Sequence, residues 1–332
     1  MMQIHDDPAR LVHDAVEGAI AESRGALILV EEPLHVHRRP APGDATVAVV
    51  SGGGSGHEPL HLGLVGPGML DAAVPGQVFA SPTTAQVLAA IESVDRGAGV
   101  VLIVKNYTGD VLNFRFAAEN AEDAGRAVEV VVVADDIATE SAQGPGRRGT
   151  GATLLVEKLA GAAAARGLPL ADVARIARSA ADRARSLAVA FRSATLPGQN
   201  DESFVLPTGS VEFGVGIHGE RGEEIAWEGD GSALIDLLVA RLYEATGLAS
   251  GDEAIALVNG LGGTPALQLE AANAYLRRSL GARGVGVVRS LTGNLVTALD
   301  MQGVSITLLR LGDDDLDLEL WDAPVRTAAL SW

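Results

Sequence analysis

The feature that most constrains this chain is a repeated alternation of apolar strand-length runs with helical stretches in its first half. Continuous apolar strands that alternate with helices indicate a mostly parallel sheet covered by helices on both faces. The sequence therefore predicts an α/β fold. The predicted strands lie at 26–30, 46–50, 99–104 and 128–134, and the predicted helices near 83–94, 110–124, 152–166 and 169–187.

A second α/β unit is predicted from about residue 190 onward, because the pattern of strands and helices starts again there with a different texture. A length of 332 residues also exceeds what one core usually fills. We predict two domains, 1–190 with the glycine-rich segment and 191–332 as a smaller domain with a mixed sheet, joined near 196–201. The second predicted unit has strands near 187–193 and 210–218 and a helix near 232–247.

The net charge of the chain restricts the kinds of molecule that it can bind. Lys and Arg number 25 against 43 Asp and Glu, a net charge of −18 that would repel a nucleic-acid backbone or an anionic membrane surface. The chain has no cysteine, no apolar run of membrane-spanning length and no signal-like start. We therefore expect a cytoplasmic protein that binds neutral molecules or other proteins.

Residues 51–61 read S-G-G-G-S-G-H-E-P-L-H and match several known motifs only in part. A Walker loop is absent, and the G-x-G-x-x-G at 214–219 has no following helix. A hydrolase elbow fails because His57 occupies the position of its last glycine. The H-E-x-x-H run needs both histidines inside one helix, whereas Pro59 predicts a helix start after His57. A tight turn and the floor of a ligand site both remain open.

Two further segments carry candidate polar groups. Asp110 follows the strand at 99–104 and lies near a predicted helix start, where it is either an N-cap or a carboxylate that accepts a hydroxyl proton. In the segment 211–218, strand alternation would place His218 on the same face as Gly214 and Gly216. That bare face would leave room for a small molecule beside the imidazole ring.

Several of these motifs together resemble the dihydroxyacetone kinase family, in its substrate-binding K subunit or domain. The resemblance runs in unbroken order over about 45–330. It rests on Ser51-Gly-Gly-Gly-Ser-Gly-His-Glu-Pro, Gly68-Met-Leu-Asp, Val78-Phe-Ala-Ser-Pro, Lys105-Asn-Tyr-Thr-Gly-Asp, Gly146-Arg-Arg-Gly, Gly214-Val-Gly-Ile-His-Gly-Glu and Asn259-Gly-Leu-Gly-Gly-Thr-Pro.

The resemblance implies a role for individual residues. His218 would form a covalent hemiaminal with the carbonyl of dihydroxyacetone, which glycerol cannot do because it has no carbonyl. Asp110 and His57 would be the acid/base pair at the reacting hydroxyl. Gly54, Ser81 and Lys105 would hold the substrate hydroxyls.

The resemblance also implies what this chain lacks. The phosphoryl group would come from ATP, or from ADP fed by a phosphocarrier, held with Mg²⁺ on a separate L-type subunit. No cofactor and no metal ligand are expected in this chain, and a homodimer is expected.

Other functions remain open at this stage. A ketose-sensing regulatory paralogue would keep the fold and the histidine, although the presence of both His57 and Asp110 favours catalysis. Phe191 and Arg192 are bulky where the family suggests small residues. This difference leaves the exact ketose open, and a tetrulose such as erythrulose is an alternative substrate. Fatty-acid-binding proteins of related fold would not need His218.

Overall fold

The structure is a computed structural model that describes residues 4, 7–41, 43–140, 146–312 and 314–332. Contacts between residues divide the chain into two compact units, and each contains one six-stranded sheet. The first unit consists of Ile4–Val133, Thr153–Ala181 and Asp315–Trp332, and the second of Ala134–Ala152 and Asp182–Asp314.

The sheet of the first unit is parallel on one side and antiparallel on the other. Its strand order is β1-β2-β4-β3-β5-β6, in which β4, β3, β5 and β6 run parallel and β1 and β2 join at one edge in antiparallel register. The strands are β1 (Leu27–Val30), β2 (His35–Arg38), β3 (Ala48–Ser55), β4 (Ala72–Val78), β5 (Val100–Lys105) and β6 (Val128–Val133).

Helices pack against this sheet because its central strands are apolar on both faces. Side chains of β3, β4 and β5 form one buried cluster with α2 and α3. Alternate residues of the same strands, such as Val49 and Ile103, are equally buried, and α5 reaches β6 through Arg178, whose Nη2 donates to the Val130 carbonyl oxygen at 3.1 Å. The helices are α1 (Leu11–Glu22), α2 (Thr84–Val94), α3 (Thr108–Asp123), α4 (Ala152–Ala165), α5 (Leu170–Arg183) and α8 (Leu316–Asp322).

The sheet of the second unit is mostly antiparallel. Its order is β11-β10-β12-β7-β8-β9, and only β10 and β11 pair in parallel. Helices α6 and α7 bury leucine, isoleucine and valine side chains against β7, β10 and β12. The elements are β7 (Ala184–Arg192), β8 (Ser210–Phe213), β9 (Glu223–Ala226), α6 (Gly231–Thr246), β10 (Glu253–Gly260), α7 (Ala266–Ala282), β11 (Gly286–Gly293) and β12 (Gln302–Arg310).

The predicted fold class is confirmed: both units are α/β, and both sheets are mixed. The division of the chain differs from the predicted boundary between residues 190 and 191. Strand β7 crosses that boundary and lies inside the second sheet, between β12 and β8. The segment near 196–201, predicted as a linker, lies within the second unit, and the last residues return to the first.

Three local predictions near the motifs are also corrected. The glycine-rich segment is not a loop, because β3 continues through Ser55. No α-helix begins at Pro59; turns lead instead to a short 3₁₀ helix at Leu62–Leu64. Strand β8 ends at Phe213, so the predicted alternation does not extend as strand to His218.

Candidate active site

The glycines of β3 lie where neighbouring backbone comes very close. Strand β3 keeps its pairing with β4 through the glycines, whereas its pairing with β5 ends at Ser51. A Cβ atom on Gly54 would lie 2.7 Å from the amide nitrogen of Ala80. Gly54 is therefore required by the turn that follows β4, before any ligand is considered.

Gly53 borders the charged groups of the first unit. A Cβ atom there would collide with Nζ of Lys105 and would lie 3.5 Å from Oδ2 of Asp110. The lysine and the carboxylate therefore approach the backbone at Gly53. Gly53 was not predicted as a site residue, although it lies within the glycine-rich segment at 51–61.

Lys105 is fully buried at the carboxyl end of β5. Its Nζ donates to the carbonyl oxygen of Gly52 at 3.1 Å and lies 2.6 Å from Nε2 of His61. Burial lowers the pKa of the Lys105 ammonium, and the charges of Asp110 and Glu157 oppose that effect. Lys105 is thus a lysine whose charge depends on its carboxylate neighbours.

His61 uses both ring nitrogens inside the protein. Its Nδ1 lies 2.6 Å from Oε1 of Glu157, a fully buried residue of α4. Burial, together with the positive charge of Lys105 nearby, lowers the pKa of the His61 imidazole well below its usual value. The H-E-x-x-H run is therefore not a zinc site, because His61 is engaged at both nitrogens and neither histidine lies in an α-helix.

Asp110 is buried in the first turn of α3, with 2% of its surface exposed. The N-cap of α3 is Tyr107, so Asp110 is the third helical residue and not the cap considered from the sequence.

His57 and Ser81 complete the polar groups of the first unit. His57 is fully buried, and its ring stacks on Phe79 at 5.2 Å between centroids and 17° between planes. Oγ of Ser81 would lie 2.6 Å from a Cβ atom on Gly109, so Ser81 packs directly beside the start of α3. The carboxyl ends of parallel β3, β4 and β5 thereby bring together the five site residues predicted in this unit: Gly54, His57, Ser81, Lys105 and Asp110.

His218 lies in the second unit, in a turn after β8, and Glu220 holds it at two points. The backbone N–H of His218 donates to Oε2 of Glu220 at 2.9 Å, and the ring Nδ1 lies 3.2 Å from Oε1. A carboxylate accepts only, so the neutral ring carries its proton on Nδ1 and its lone pair on Nε2.

Arg148 supports this arrangement from the predicted polar loop. Its Nε donates to Asp136 at 2.8 Å, its Nη2 to the carbonyl oxygen of Gly214 at 2.8 Å, and its Nη1 lies 3.9 Å from Oε2 of Glu220. Burial opposes ionisation of Glu220, but His218 and Arg148 outweigh it and lower the pKa of Glu220 to about 2. Residues 141–145 of the predicted loop lie outside the described residues.

The bare position at Gly216 accommodates this support. A Cβ atom there would collide with Glu220 and would lie 2.5 Å from Nη1 of Arg148. The bare face was predicted to leave room for a small molecule beside His218, whereas at Gly216 the side chains of Glu220 and Arg148 occupy that space. Neither Glu220 nor Arg148 was predicted as a site residue, although both lie in motifs that carry the family resemblance.

The unusual pair Phe191–Arg192 ends β7. Arg192 donates from Nη2 to the carbonyl oxygen of Asp300 at 3.1 Å, and its Nη1 lies 3.7 Å from carboxylate oxygens of Glu202 and Asp300. Phe191 is 37% exposed. The guanidinium of Arg192 is thus paired with carboxylates of its own unit.

The protein thus combines two α/β units with mixed sheets, of which one carries a buried lysine–carboxylate cluster and the other a glutamate-held histidine. The Dak1 domain family matches residues 17–329. The PEP-dependent dihydroxyacetone kinase, dihydroxyacetone-binding subunit DhaK, of Escherichia coli K12 is 41% identical over an alignment of 357 positions, which covers 100% of this chain and 99% of that protein.

Solved structures agree. The dihydroxyacetone kinase of C. freundii superposes with a TM-score of 0.87 at 39% identity, covering 98% of this chain and 60% of that chain. The dihydroxyacetone kinase operon co-activator Dha-DhaQ superposes with the same TM-score of 0.87 at 34% identity, covering 95% of this chain and 97% of the co-activator. This chain belongs to the Dak1 family, that of the K subunits and domains of dihydroxyacetone kinases. None of the described helices is long and apolar enough to cross a membrane.

Proposed function

We propose that this protein is the substrate-holding subunit of a dihydroxyacetone kinase and that it holds the ketose as a hemiaminal on His218. The observation that carries the proposal is the contact of Glu220 with Nδ1 of His218. It fixes the tautomer in which Nε2 is the nucleophilic nitrogen. The name of the E. coli relative, a dihydroxyacetone-binding subunit, supports the choice of substrate.

The covalent step follows from this tautomer. The Nε2 lone pair forms a bond to the carbonyl carbon, and the π electrons of the C=O bond move to oxygen, which takes up a proton from a water molecule and leaves a hydroxide ion in solution. The positive charge left on the ring is balanced by Glu220, which stays ionised because its pKa is about 2. A triol such as glycerol offers no carbonyl for this step, so it is rejected by chemistry instead of by size.

We propose that the polar groups of the first unit act on ketose hydroxyl groups. Asp110, buried in the first turn of α3, accepts the proton of the hydroxyl that takes the phosphoryl group, and His57 assists as the second acid/base group. Lys105, Ser81 and the backbone at Gly54 hold the hydroxyls in place.

The phosphoryl group is proposed to come from a partner. Transfer requires positive charge and a metal ion at the phosphate, which an L-type subunit carrying ATP or ADP with Mg²⁺ would supply. The name of the E. coli relative, a subunit of a PEP-dependent kinase, supports a separate donor protein. We assign no nucleotide or metal ligand to this chain, and we propose that it works as a homodimer in the cytoplasm.

A second candidate is a ketose-sensing regulatory subunit. The similarity to the co-activator Dha-DhaQ favours it. Such a subunit forms the adduct on His218 but does not phosphorylate the ketose. A tetrulose kinase subunit is the remaining variant, suggested by the bulk of Phe191–Arg192.

The test combines intact mass with a coupled assay. Incubation with dihydroxyacetone should add the mass of one ketose molecule, and His218→Ala should add none. Phosphorylation should then require an added L-type subunit and its donor, with erythrulose as the competing substrate. An adduct without turnover under every donor tested would establish the regulatory function instead, and no adduct at His218 would refute both.

A further inference from the structure

Lys105, His61 and Glu157 form a continuous buried chain of hydrogen bonds in the first unit. Nζ of Lys105 lies 2.6 Å from Nε2 of His61, and Nδ1 of His61 lies 2.6 Å from Oε1 of Glu157. Lys105 and Glu157 are fully buried, and His61 is 5% exposed. Solvent therefore has little access to the protons that these three side chains share.

The protons of Lys105, His61 and Glu157 can be arranged in two ways that have the same net charge. In the first, Lys105 is an ammonium, His61 carries its proton on Nδ1, and Glu157 is a carboxylate. In the second, the Nζ proton has moved to Nε2 of His61, and the Nδ1 proton has moved to Oε1 of Glu157. Lys105 is then an amine and Glu157 a carboxylic acid, and every donor still meets an acceptor.

The surroundings favour the two arrangements in opposite ways. Burial raises the pKa of the Glu157 carboxyl to about 8 and lowers the pKa of Lys105, which favours the uncharged arrangement. The carboxylate of Asp110 favours the charged arrangement, because it raises the pKa of Lys105. The charge of His57 disfavours a second proton on the His61 ring, which therefore stays neutral in both arrangements.

We propose that Lys105, His61 and Glu157 are a proton relay that turns Lys105 from ammonium into amine when Asp110 becomes neutral. The inference rests on the proposed function, in which Asp110 accepts the hydroxyl proton. The relay then prevents an unpaired ammonium from remaining buried beside a neutral acid, which would be costly. His61 and Glu157 are positioning residues in this scheme, since they act through Lys105.

The tautomer of His61 tests the relay directly by ¹⁵N NMR of the imidazole nitrogens. Asp110→Asn imitates the neutral acid, so His61 should change from the Nδ1–H to the Nε2–H tautomer. In the double variant Asp110→Asn with Glu157→Gln the change should be absent, because an amide cannot take up the proton. Asp110→Ser provides a second neutral side chain if the asparagine variant does not fold.

His35 is the internal control. It is equally buried, but its Nδ1 lies 2.8 Å from the carbonyl oxygen of Pro33, which cannot take a proton. Its tautomer should stay Nδ1–H in every variant. An unchanged His61 tautomer in both neutral variants at residue 110 would overturn the relay. The measurement needs no partner subunit or ketose, so its outcome is independent of whether the proposed kinase activity is found.

Discussion

Nδ1 of His218 and Oε1 of Glu220 lie 3.2 Å apart, and the other oxygen of the same carboxylate accepts the backbone N–H of the histidine. One carboxylate thus contacts both the imidazole and the backbone of His218. The position of the ring proton, and with it the identity of the nucleophilic nitrogen, depends on this residue two positions away.

Glu220→Gln should weaken the adduct with dihydroxyacetone. The amide removes a charge-assisted hydrogen bond and the charge that balances the modified ring, so the equilibrium constant for adduct formation should fall about 10- to 100-fold. Intact-mass titration with ketose measures it. Glu223→Gln, an exposed change on β9, is the matched control and should leave the titration unchanged. Equal adduct formation in the Glu220 variant would contradict the assigned tautomer.

Asp110→Asn should separate turnover from ketose binding. The asparagine keeps the size of the side chain but cannot accept a hydroxyl proton, so kcat with a suitable L-type subunit should fall about 10²- to 10⁴-fold. The adduct on His218 should persist in intact-mass spectra. Asp123→Asn at the exposed end of the same helix controls for the loss of one negative charge. Full turnover by the Asp110 variant would remove it from the mechanism.

Gly109→Ala should stabilise the protein yet weaken its hold on ketose. Alanine in a helix is favoured over glycine by about 0.5–1 kcal/mol, but its Cβ would lie 2.6 Å from Oγ of Ser81 and would displace that side chain. Gly18→Ala in α1 is the control, because no atom lies within 4 Å of its added Cβ. Thermal unfolding and ketose titration of both variants measure the two effects. A Gly109 variant that binds ketose normally would argue against Ser81 as a contact.

Acidification should destabilise the protein through its buried histidines. Burial lowers the pKa of His35, His37 and His61 in the folded state, so the unfolded chain binds more protons below its own histidine pKa of about 6.5. The free energy of unfolding should therefore fall as the pH drops from about 7 to about 5, by at most about 1.4 kcal/mol per pH unit for each histidine.

Urea unfolding at several pH values measures this loss. His35→Gln should reduce the slope of stability against pH by about one histidine, since glutamine does not titrate. Stability that stays constant or rises over the same interval would show that these rings are protonated in the folded state.

The fold class could be predicted from the sequence because local patterns determine it. The apolar runs that became β3, β5 and β6 were recognisable by length and composition, and the ends of parallel strands necessarily meet at one edge. His57, Ser81 and Lys105 were nevertheless predicted as site residues only through the resemblance to the dihydroxyacetone kinase family.

The remaining features depend on distant parts of the chain. Glu157 meets His61 across 96 positions of sequence, and nothing local in an alanine-rich helix marks it as a partner. The boundary between the units was misplaced for a similar reason, because β7 looks like the end of the first pattern although its pairing partners, β12 and β8, come later. Pairing over such separations leaves no periodic signal in one sequence.

The position of the three consecutive glycines inside β3, and not in a loop, has a consequence for affinity. Their backbone is already immobilised by the hydrogen-bond ladder with β4. The entropy lost in fixing that stretch is spent when the chain folds, so a ligand that arrives later meets a rigid surface and gives up less of its binding energy to order it.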